Sequence, residues 1–239
     1  MKSNTITFWL LLILGLTMNV SCDKDDEISD KWPSGKEPAV DSDYHPFVRE
    51  GKVWNYSYDI VETTSDGNSV AAEAYIIKGD TLIQGQKCKK VFYRSRSVSN
   101  NNEWHYFAAL KEWGKKVYIM RDGKTKGELL YNFGLYKGEH IRYSTTWNDL
   151  VCNSVEKIYT SDKESVPRKI LGLNVSGNSD YDFPTLIILW IEGIGAIDGS
   201  NPFNPNCHYD DPLSSLISCY EDGVCIYDIS FPSLLNQKE

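Results

Sequence analysis

The stretch VWNYSYDI, Val53–Ile60, carries a large apolar side chain at every second position, with smaller or polar residues between them. A period of two is that of a β-strand buried on one face. Further runs rich in aromatic and β-branched residues follow along the chain: VAAEAYIIK, CKKVFYRSRSV, EWHYFAAL, KVYIM, ELLYNF, HIRYS, VEKIYT and RKILGLNV. No long stretch after the N-terminal segment shows a helical period, so the sequence predicts an all-β domain.

Turn signals indicate how these strands are connected. Asp66-Gly67, Asp122-Gly123 and Asp222-Gly223 each stand between two strand-like runs, and such pairs are the strongest short-range signal for a β-hairpin. Parallel strands need long crossovers, usually helices, and the sequence offers none. We therefore expect a single antiparallel meander domain. Whether its sheet forms a barrel-like structure or a sandwich is left open.

The segment TLIILWIEGIGAIDG, Thr185–Gly199, differs from the alternating runs because Leu186–Ile191 are all apolar. This pattern predicts a strand buried on both faces. The glycines that follow do not make a nucleotide-binding G-x-G-x-x-G motif, since the third glycine comes one residue too late. They predict a loop that needs positive φ or close backbone approach. Glu192, at the end of the strand, is a candidate acid/base or ligand contact; the alternative is that it caps loop amides or pairs with Arg168.

The N-terminal sequence resembles the signal peptide of a lipoprotein. Ile6–Leu16 is apolar but too short to span a bilayer, as expected of the h-region of a secretory signal peptide. The thiol of Cys22 follows it, and the arrangement resembles the lipobox of bacterial lipoproteins, in which that cysteine is acylated. The expected signal peptide is therefore residues 1–21 and the lipidation site is Cys22. An incidental cysteine in a secreted protein is the alternative.

The residues after the cysteine are charged, and their set resembles the export signal that directs Bacteroidetes lipoproteins to the outer face of the outer membrane: Asp23, Lys24, Asp25, Asp26 and Glu27. A solvated charge run is the other interpretation. Residues 22–45 hold eight acidic and three basic residues and predict an acylated acidic tether and linker. The all-β domain is expected over residues 46–239. The expected localisation is a lipid-anchored outer-membrane protein facing the cell exterior.

Charge and cysteine content narrow the function classes. The chain has a formal net charge of −8 and shows no basic run, so nucleic acid is not expected as a partner. No histidine or cysteine spacing predicts a metal site or a cofactor. A two-residue turn at Asp222-Gly223 would place Cys219 and Cys225 on opposite faces, whereas a three-residue turn would place them opposite each other. With the shorter turn, Cys207–Cys219 is the expected disulfide.

Several segments resemble one group of proteins. WIEGIGAIDG, LISCYEDGVCIYD, GDTLIQGQKCKKVFY, ALKEWGKKVYIM and ELLYNFGLYKGE are similar to uncharacterised secreted and lipid-anchored Bacteroidetes proteins with a C-terminal W-I-E-G-I-G-x-x-x-G pattern. The resemblance covers most of residues 47–228. It implies secretion and an all-β domain, and it implies no activity or site.

The remaining candidates are surface residues. Trp104, Trp113 and Trp147 are candidate ligand contacts that could form an exposed aromatic platform. The alternative is that they belong to the core, as aromatics on strands usually do. Thr81, in Asp80-Thr81-Leu82, resembles a Bacteroidetes O-glycosylation acceptor.

These features favour a non-catalytic binding or accessory module for an extracellular glycan or protein. One alternative is an extracellular hydrolase that uses Glu192 with Asp198, Asp210 or His208. Another is a structural envelope protein.

Overall fold

The computed structural model describes residues 32–33, 35–59, 70–96, 103–121, 124, 127–144, 150–160, 167–176, 187–197, 201–204 and 214–228. These residues form thirteen strands: β1 (Val53–Asp59), β2 (Val70–Ile83), β3 (Gln86–Arg96), β4 (His105–Trp113), β5 (Lys116–Arg121), β6 (Glu128–Asn132), β7 (His140–Ser144), β8 (Leu150–Thr160), β9 (Lys169–Ser176), β10 (Ile187–Ile191), β11 (Gly195–Ala196), β12 (Ser214–Glu221) and β13 (Val224–Asp228). The all-β prediction is confirmed. Among the described residues there is no helix with the length and apolar character that crossing a membrane takes.

The strands form two antiparallel sheets. The larger has eight strands in the order β13-β12-β1-β2-β3-β4-β5-β6, and it curls into a half-barrel. The smaller has five, in the order β11-β10-β9-β8-β7. Strands β1 to β6 and β7 to β11 are each a meander, and the β12–β13 hairpin returns to pair with β1. The predicted antiparallel meander is therefore confirmed, divided between two sheets.

The alternation in β1 determines which side of the large sheet is the inside. Trp54 and Tyr56 are buried, whereas Val53 and Asn55 are partly exposed. Aromatic side chains from distant parts of the chain meet them on this inner face. Phe203 packs edge-on against Trp54, with ring centroids 5.7 Å apart. The hydrophobic core thus lies in the concavity of the curled sheet.

The glycine loop after β10 fills one part of that concavity. Ile188, Trp190 and Ile191 are fully buried, in agreement with the predicted buried strand. The Trp54 indole N–H donates to the Ile194 carbonyl (2.8 Å), and the Tyr56 hydroxyl donates to the Ala196 carbonyl (3.2 Å).

Tyr131 holds the other side of the same loop. Its hydroxyl donates to the Pro202 carbonyl (2.7 Å) and accepts from the Ala196 N–H (3.0 Å). Side chains of the large sheet therefore supply hydrogen-bond partners to the backbone of a buried loop, which buried peptide groups require.

The N-terminal segment packs on the domain from Trp32 onward. Trp32 is 5% exposed, and its ring centroid lies 6.4 Å from that of Tyr118, on the outer side of the large sheet. On the inner side, the Tyr44 hydroxyl donates to a Glu112 carboxylate oxygen (2.6 Å). Part of the predicted linker, residues 22–45, thus belongs to the folded domain. This packing could not be predicted, because two isolated aromatics among Pro, Ser and charged residues show no period.

The β12–β13 hairpin has the tight turn. Asp222 and Gly223 both have positive φ, 52° and 80°, and Tyr220 pairs with Cys225. As a result Cys219 is buried and Cys225 is exposed on the opposite face. Cys219 is a buried free thiol within the described residues, and the expected Cys207–Cys219 disulfide stays a prediction. Cys207 lies outside the described residues.

We predict that Gly193→Ala destabilises the fold more than Gly85→Ala. Both glycines have nearly the same positive φ, 73° and 75°, so both variants carry the left-handed penalty of about 1–2 kcal/mol. A Cβ at Gly193 would lie 2.6 Å from an Arg168 guanidinium nitrogen and 3.0 Å from the His45 carbonyl, whereas nothing lies within 4 Å of one at Gly85.

Chemical denaturation of the two variants measures the difference in the free energy of unfolding. Equal losses would show that the loop is not clamped between β9 and the N-terminal segment.

Candidate functional site

Glu192 is held as a structural residue. It is 5% exposed, and its carboxylate accepts the backbone N–H of His45 (3.0 Å). Arg168 contacts the backbone here, since its guanidinium donates to the Glu192 carbonyl (3.0 Å). Burial raises the pKa of Glu192, against the effect of the His45 hydrogen bond. The side chain therefore joins the N-terminal segment to the end of β10, and this supports the structural alternative for Glu192.

The proposed hydrolytic partners of Glu192 lie elsewhere in the chain. Asp198, His208 and Asp210 are outside the described residues. Within the described ranges, no three His, Cys, Asp or Glu side chains lie together as a metal ion would need.

A fully buried lysine marks the end of the concavity near Glu192. Lys52 has no exposed surface, and its ammonium donates to the carbonyls of Pro46 (2.6 Å) and Gly193 (2.7 Å). A Glu221 carboxylate oxygen lies 3.3 Å away, and Arg49 pairs with the same carboxylate. Burial lowers the pKa of Lys52, and the charge of Glu221 opposes this. These acceptors come from the N-terminal segment, the loop after β10 and the end of β12, so the ammonium joins three segments of the chain.

The carboxylate of Glu112 likewise joins separate segments of the chain. Its carboxylate accepts the N–H groups of Phe47 (3.0 Å) and Val48 (2.9 Å) in addition to the Tyr44 hydroxyl. Burial raises the pKa of Glu112. Three donors from one segment leave this carboxylate engaged in holding the N-terminal segment against β4.

An open cleft of about 360 Å³ lies beside Glu112, between the N-terminal segment and the ends of β2, β3 and β4. The two lysines that β3 contributes to its lining are paired with acids. Lys89 contacts Glu50 and Asp80 at 2.8 Å each, and Lys87 lies 3.0 Å from Asp80. The buried thiol of Cys88, at the same cleft, donates to the Gln86 carbonyl (3.4 Å), and burial raises its pKa. The cleft therefore presents no reactive thiol, and Lys111 is its one lining lysine with no ion pair among the described residues.

The outer face of β3 and the start of β4 carries exposed aromatics. Trp104 is 39% exposed and Tyr106 is 38% exposed. Phe92 packs edge-on against Tyr106, with centroids 6.0 Å apart. The Arg94 guanidinium lies 4.7 Å from the Trp104 ring centroid, and the Lys90 ammonium lies 5.8 Å from that of Phe92. We call these five residues the outer-face row.

Trp113 is placed differently from Trp104. It ends β4, is half-buried against the core, and has the Lys111 ammonium 5.0 Å from its ring centroid. Trp113 lies further along β4 than the outer-face row, and its ring is less exposed than that of Trp104. Trp147 lies outside the described residues.

Thr81 is half-buried on β2, opposite Cys88. The pairing of β2 with β3 is irregular between Ile77 and Asp80, after which it resumes. The residues of the lipidation and export signals, residues 22–27, lie outside the described residues.

Sequence reasoning identified Trp104 and missed the rest of the outer-face row. Phe92 and Arg94 alternate with Val91 and Tyr93, and this alternation indicated that the two pairs lie on opposite faces of a strand. It did not show which set faces outward, because all four residues are large. The structure resolves this, since Val91 is fully buried and Tyr93 packs on Tyr75.

Comparison of the chain with protein-family models, with curated proteins and with solved structures gives no match.

We predict that Lys52→Met destabilises the protein by about 1–3 kcal/mol at pH 7, because buried carbonyls and Glu221 lose their donor. The loss should grow as the pH rises. The folded-state pKa of Lys52 is lowered from 10.5, so the unfolded chain binds this proton more tightly. Wild-type stability, relative to the variant, therefore increases with pH between the lowered pKa and 10.5.

Urea unfolding of both proteins at several pH values from about 8 to about 10.5 measures this difference. The matched control is Lys87→Met, whose side chain is 73% exposed in its pair with Asp80, and it should leave the midpoint unchanged. A Lys52→Met loss that shrinks with rising pH would contradict the buried-ammonium interpretation.

Proposed function

We propose that this protein is a non-catalytic binding module on the outer surface of the cell, and that the outer-face row holds its ligand, an extracellular glycan. The observation that carries the proposal is the exposure of Trp104 and Tyr106 on the outer side of a sheet whose inner side holds the core. Large aromatic rings are ordinarily buried, and exposed aromatic groups are typical of interaction sites.

The form of this surface suits a sugar chain. The row is a shallow face of two paired strands rather than an enclosed pocket: Phe92 lies opposite Tyr106 and Tyr93 opposite His105. Pyranose rings have apolar C–H faces that pack on aromatic faces, and burial of that area is favourable by about 25 cal/mol per Å². Paired strands also fix the separation of the rings, so little ordering is needed when a ligand binds.

The residues around Glu192 do not favour a hydrolase. A glycosidase uses two carboxyl groups about 5–10 Å apart beside the scissile bond, whereas Glu192 is buried and bonded to the His45 backbone. The carboxylate of Glu112 is likewise occupied by three donors. These contacts support a binding rather than a catalytic function.

The cell-surface part of the proposal rests on the N-terminal sequence. The apolar segment, Cys22 and the acidic residues after it resemble those of acylated, exported lipoproteins. Trp32, where the chain packs on the domain, lies ten positions after Cys22. A tether of that length spans at most about 35 Å when fully extended. The domain would therefore lie close to the membrane that holds it.

We predict that Trp104→Ala combined with Tyr106→Ala weakens glycan binding by about tenfold or more, since central aromatics carry most of the binding energy in such surfaces. The chain, purified in mild detergent, is titrated with xylan, mixed-linkage glucan, polygalacturonate and chondroitin sulfate, and binding is measured by calorimetry.

The control is Tyr136→Ala. Tyr136 is 69% exposed and lies beneath the Lys169 ammonium at 5.1 Å, so it is an exposed aromatic–cation pair away from the outer-face row. It should not affect binding. Equal affinity of the double variant and the wild type would exclude the row as the site, and cross-linking to a protein on intact cells would support a protein ligand instead.

We also predict that Cys22→Ala moves the protein from the membrane fraction to the soluble fraction, because the acyl chains that hold it can no longer be attached. Fractionation followed by immunoblotting measures this. Replacing Asp25, Asp26 and Glu27 by Ala is the companion variant; it should remain membrane-bound but lose accessibility to added protease. Membrane association of Cys22→Ala would contradict acylation at this residue.

A further inference from the structure

The outer-face row alternates aromatic side chains with cations. Lys90, Phe92 and Arg94 occupy successive outward positions of β3, and each cation lies over an aromatic ring. Lys90 and Arg94 are four residues apart, about 13 Å along the strand. The pattern continues on β4, where Lys111 lies over Trp113. Lys90 lies opposite Ala109, two residues from Lys111, so these cations share one face of the sheet.

Within the described residues, none of Lys90, Arg94 and Lys111 is in an ion pair. Neighbouring lysines of the same hairpin differ in this respect, because Lys87 and Lys89 are neutralised by Asp80 and Glu50. The outward positions of β3 and β4 from Cys88 to Arg94 and from Trp104 to Trp113 carry no acid. The face is thus locally positive on a chain whose net charge is −8.

Such a face is complementary to a polymer that carries both apolar ring faces and anionic groups. Guanidinium and ammonium groups bind carboxylates and sulfates through charge-assisted hydrogen bonds, with Arg able to form two in parallel. The rings between them contact the C–H faces of the sugars. A neutral glycan would use the rings and leave the cations unused.

We propose that the outer-face row selects an anionic polysaccharide, bearing carboxylate or sulfate groups, and that Arg94 and Lys90 bind those groups. This inference rests on the proposed function and specifies its ligand class. Arg94 and Lys90 are positioned by the rings beneath them, and they exchange an aromatic contact for an anionic one when the ligand binds.

The test compares ligands that differ only in charge. Polygalacturonate is compared with its methyl-esterified form, and chondroitin sulfate with its desulfated, carboxyl-reduced form. The proteins are the wild-type chain, Lys90→Gln combined with Arg94→Gln, and Glu103→Gln. The control for the loss of a positive charge away from the row is Lys137→Gln, an exposed lysine beside Tyr136.

We expect at least one charged polysaccharide to bind more tightly than its neutral form, with affinity that falls as NaCl is raised from about 50 to about 500 mM. The Lys90/Arg94 variant should lose about tenfold in Kd and most of the salt dependence. Glu103→Gln removes an exposed acid next to Trp104, so it should strengthen binding, whereas Lys137→Gln should leave it unchanged.

The contrary outcomes separate this inference from the proposed function. Equal binding of charged and neutral forms, lost in the Trp104/Tyr106 variant, would overturn the inference and leave the glycan-binding function standing. No binding of either form would overturn both. Binding of single-stranded oligothymidylate alone, tested in the same buffer, would assign the face to nucleic acid and overturn the inference.

Discussion

The buried ammonium of Lys52 is the contact on which the arrangement of this domain depends. It joins the carbonyl of Pro46 in the N-terminal segment, the carbonyl of Gly193 after β10, and Glu221 at the end of β12. A charge with no exposed surface is tolerated only where its donors are all used. The three segments must therefore be in place together, and Glu192 and Glu112 secure the same N-terminal segment from either side.

This use of buried charge assigns different functions to the two faces of the large sheet. The concave face is filled by the glycine loop and by aromatics such as Trp54 and Tyr131, and its polar groups are bonded to the protein itself. A ligand would have to displace those contacts to enter. On the outer face of β3 and at the start of β4 the rings of Trp104 and Tyr106 are exposed, and the paired strands keep them at fixed separations.

Short-range features of the sequence predicted the strands and turns, whereas contacts between distant residues could not be predicted. The period of two in β1, the apolar run of β10 and the turn at Asp222-Gly223 depend on neighbouring residues only, and each was correctly predicted. Glu192 and its partner His45 are 147 residues apart, and Lys52 and Gly193 are 141 apart; one sequence carries no trace of such pairings. The register irregularity between Val91 and Phe92 explains why the outer-face row was predicted only in part. Phe107 falls at the bulge and turns toward the core, whereas Tyr106 stays on the outer face.

The energetics of the cation–aromatic pairs decide whether the outer-face row is a structural device or a binding surface. At exposed positions such a pair contributes about 0.5–1 kcal/mol, too little to be a reason for leaving Trp104 and Tyr106 uncovered. The proposed ligand would offer each cation a charge-assisted hydrogen bond, and Arg94 can form two in parallel. In the proposed complex a single ligand would contact both the cations and the rings. A surface whose own contacts are weak in the free protein is the arrangement expected of a binding surface.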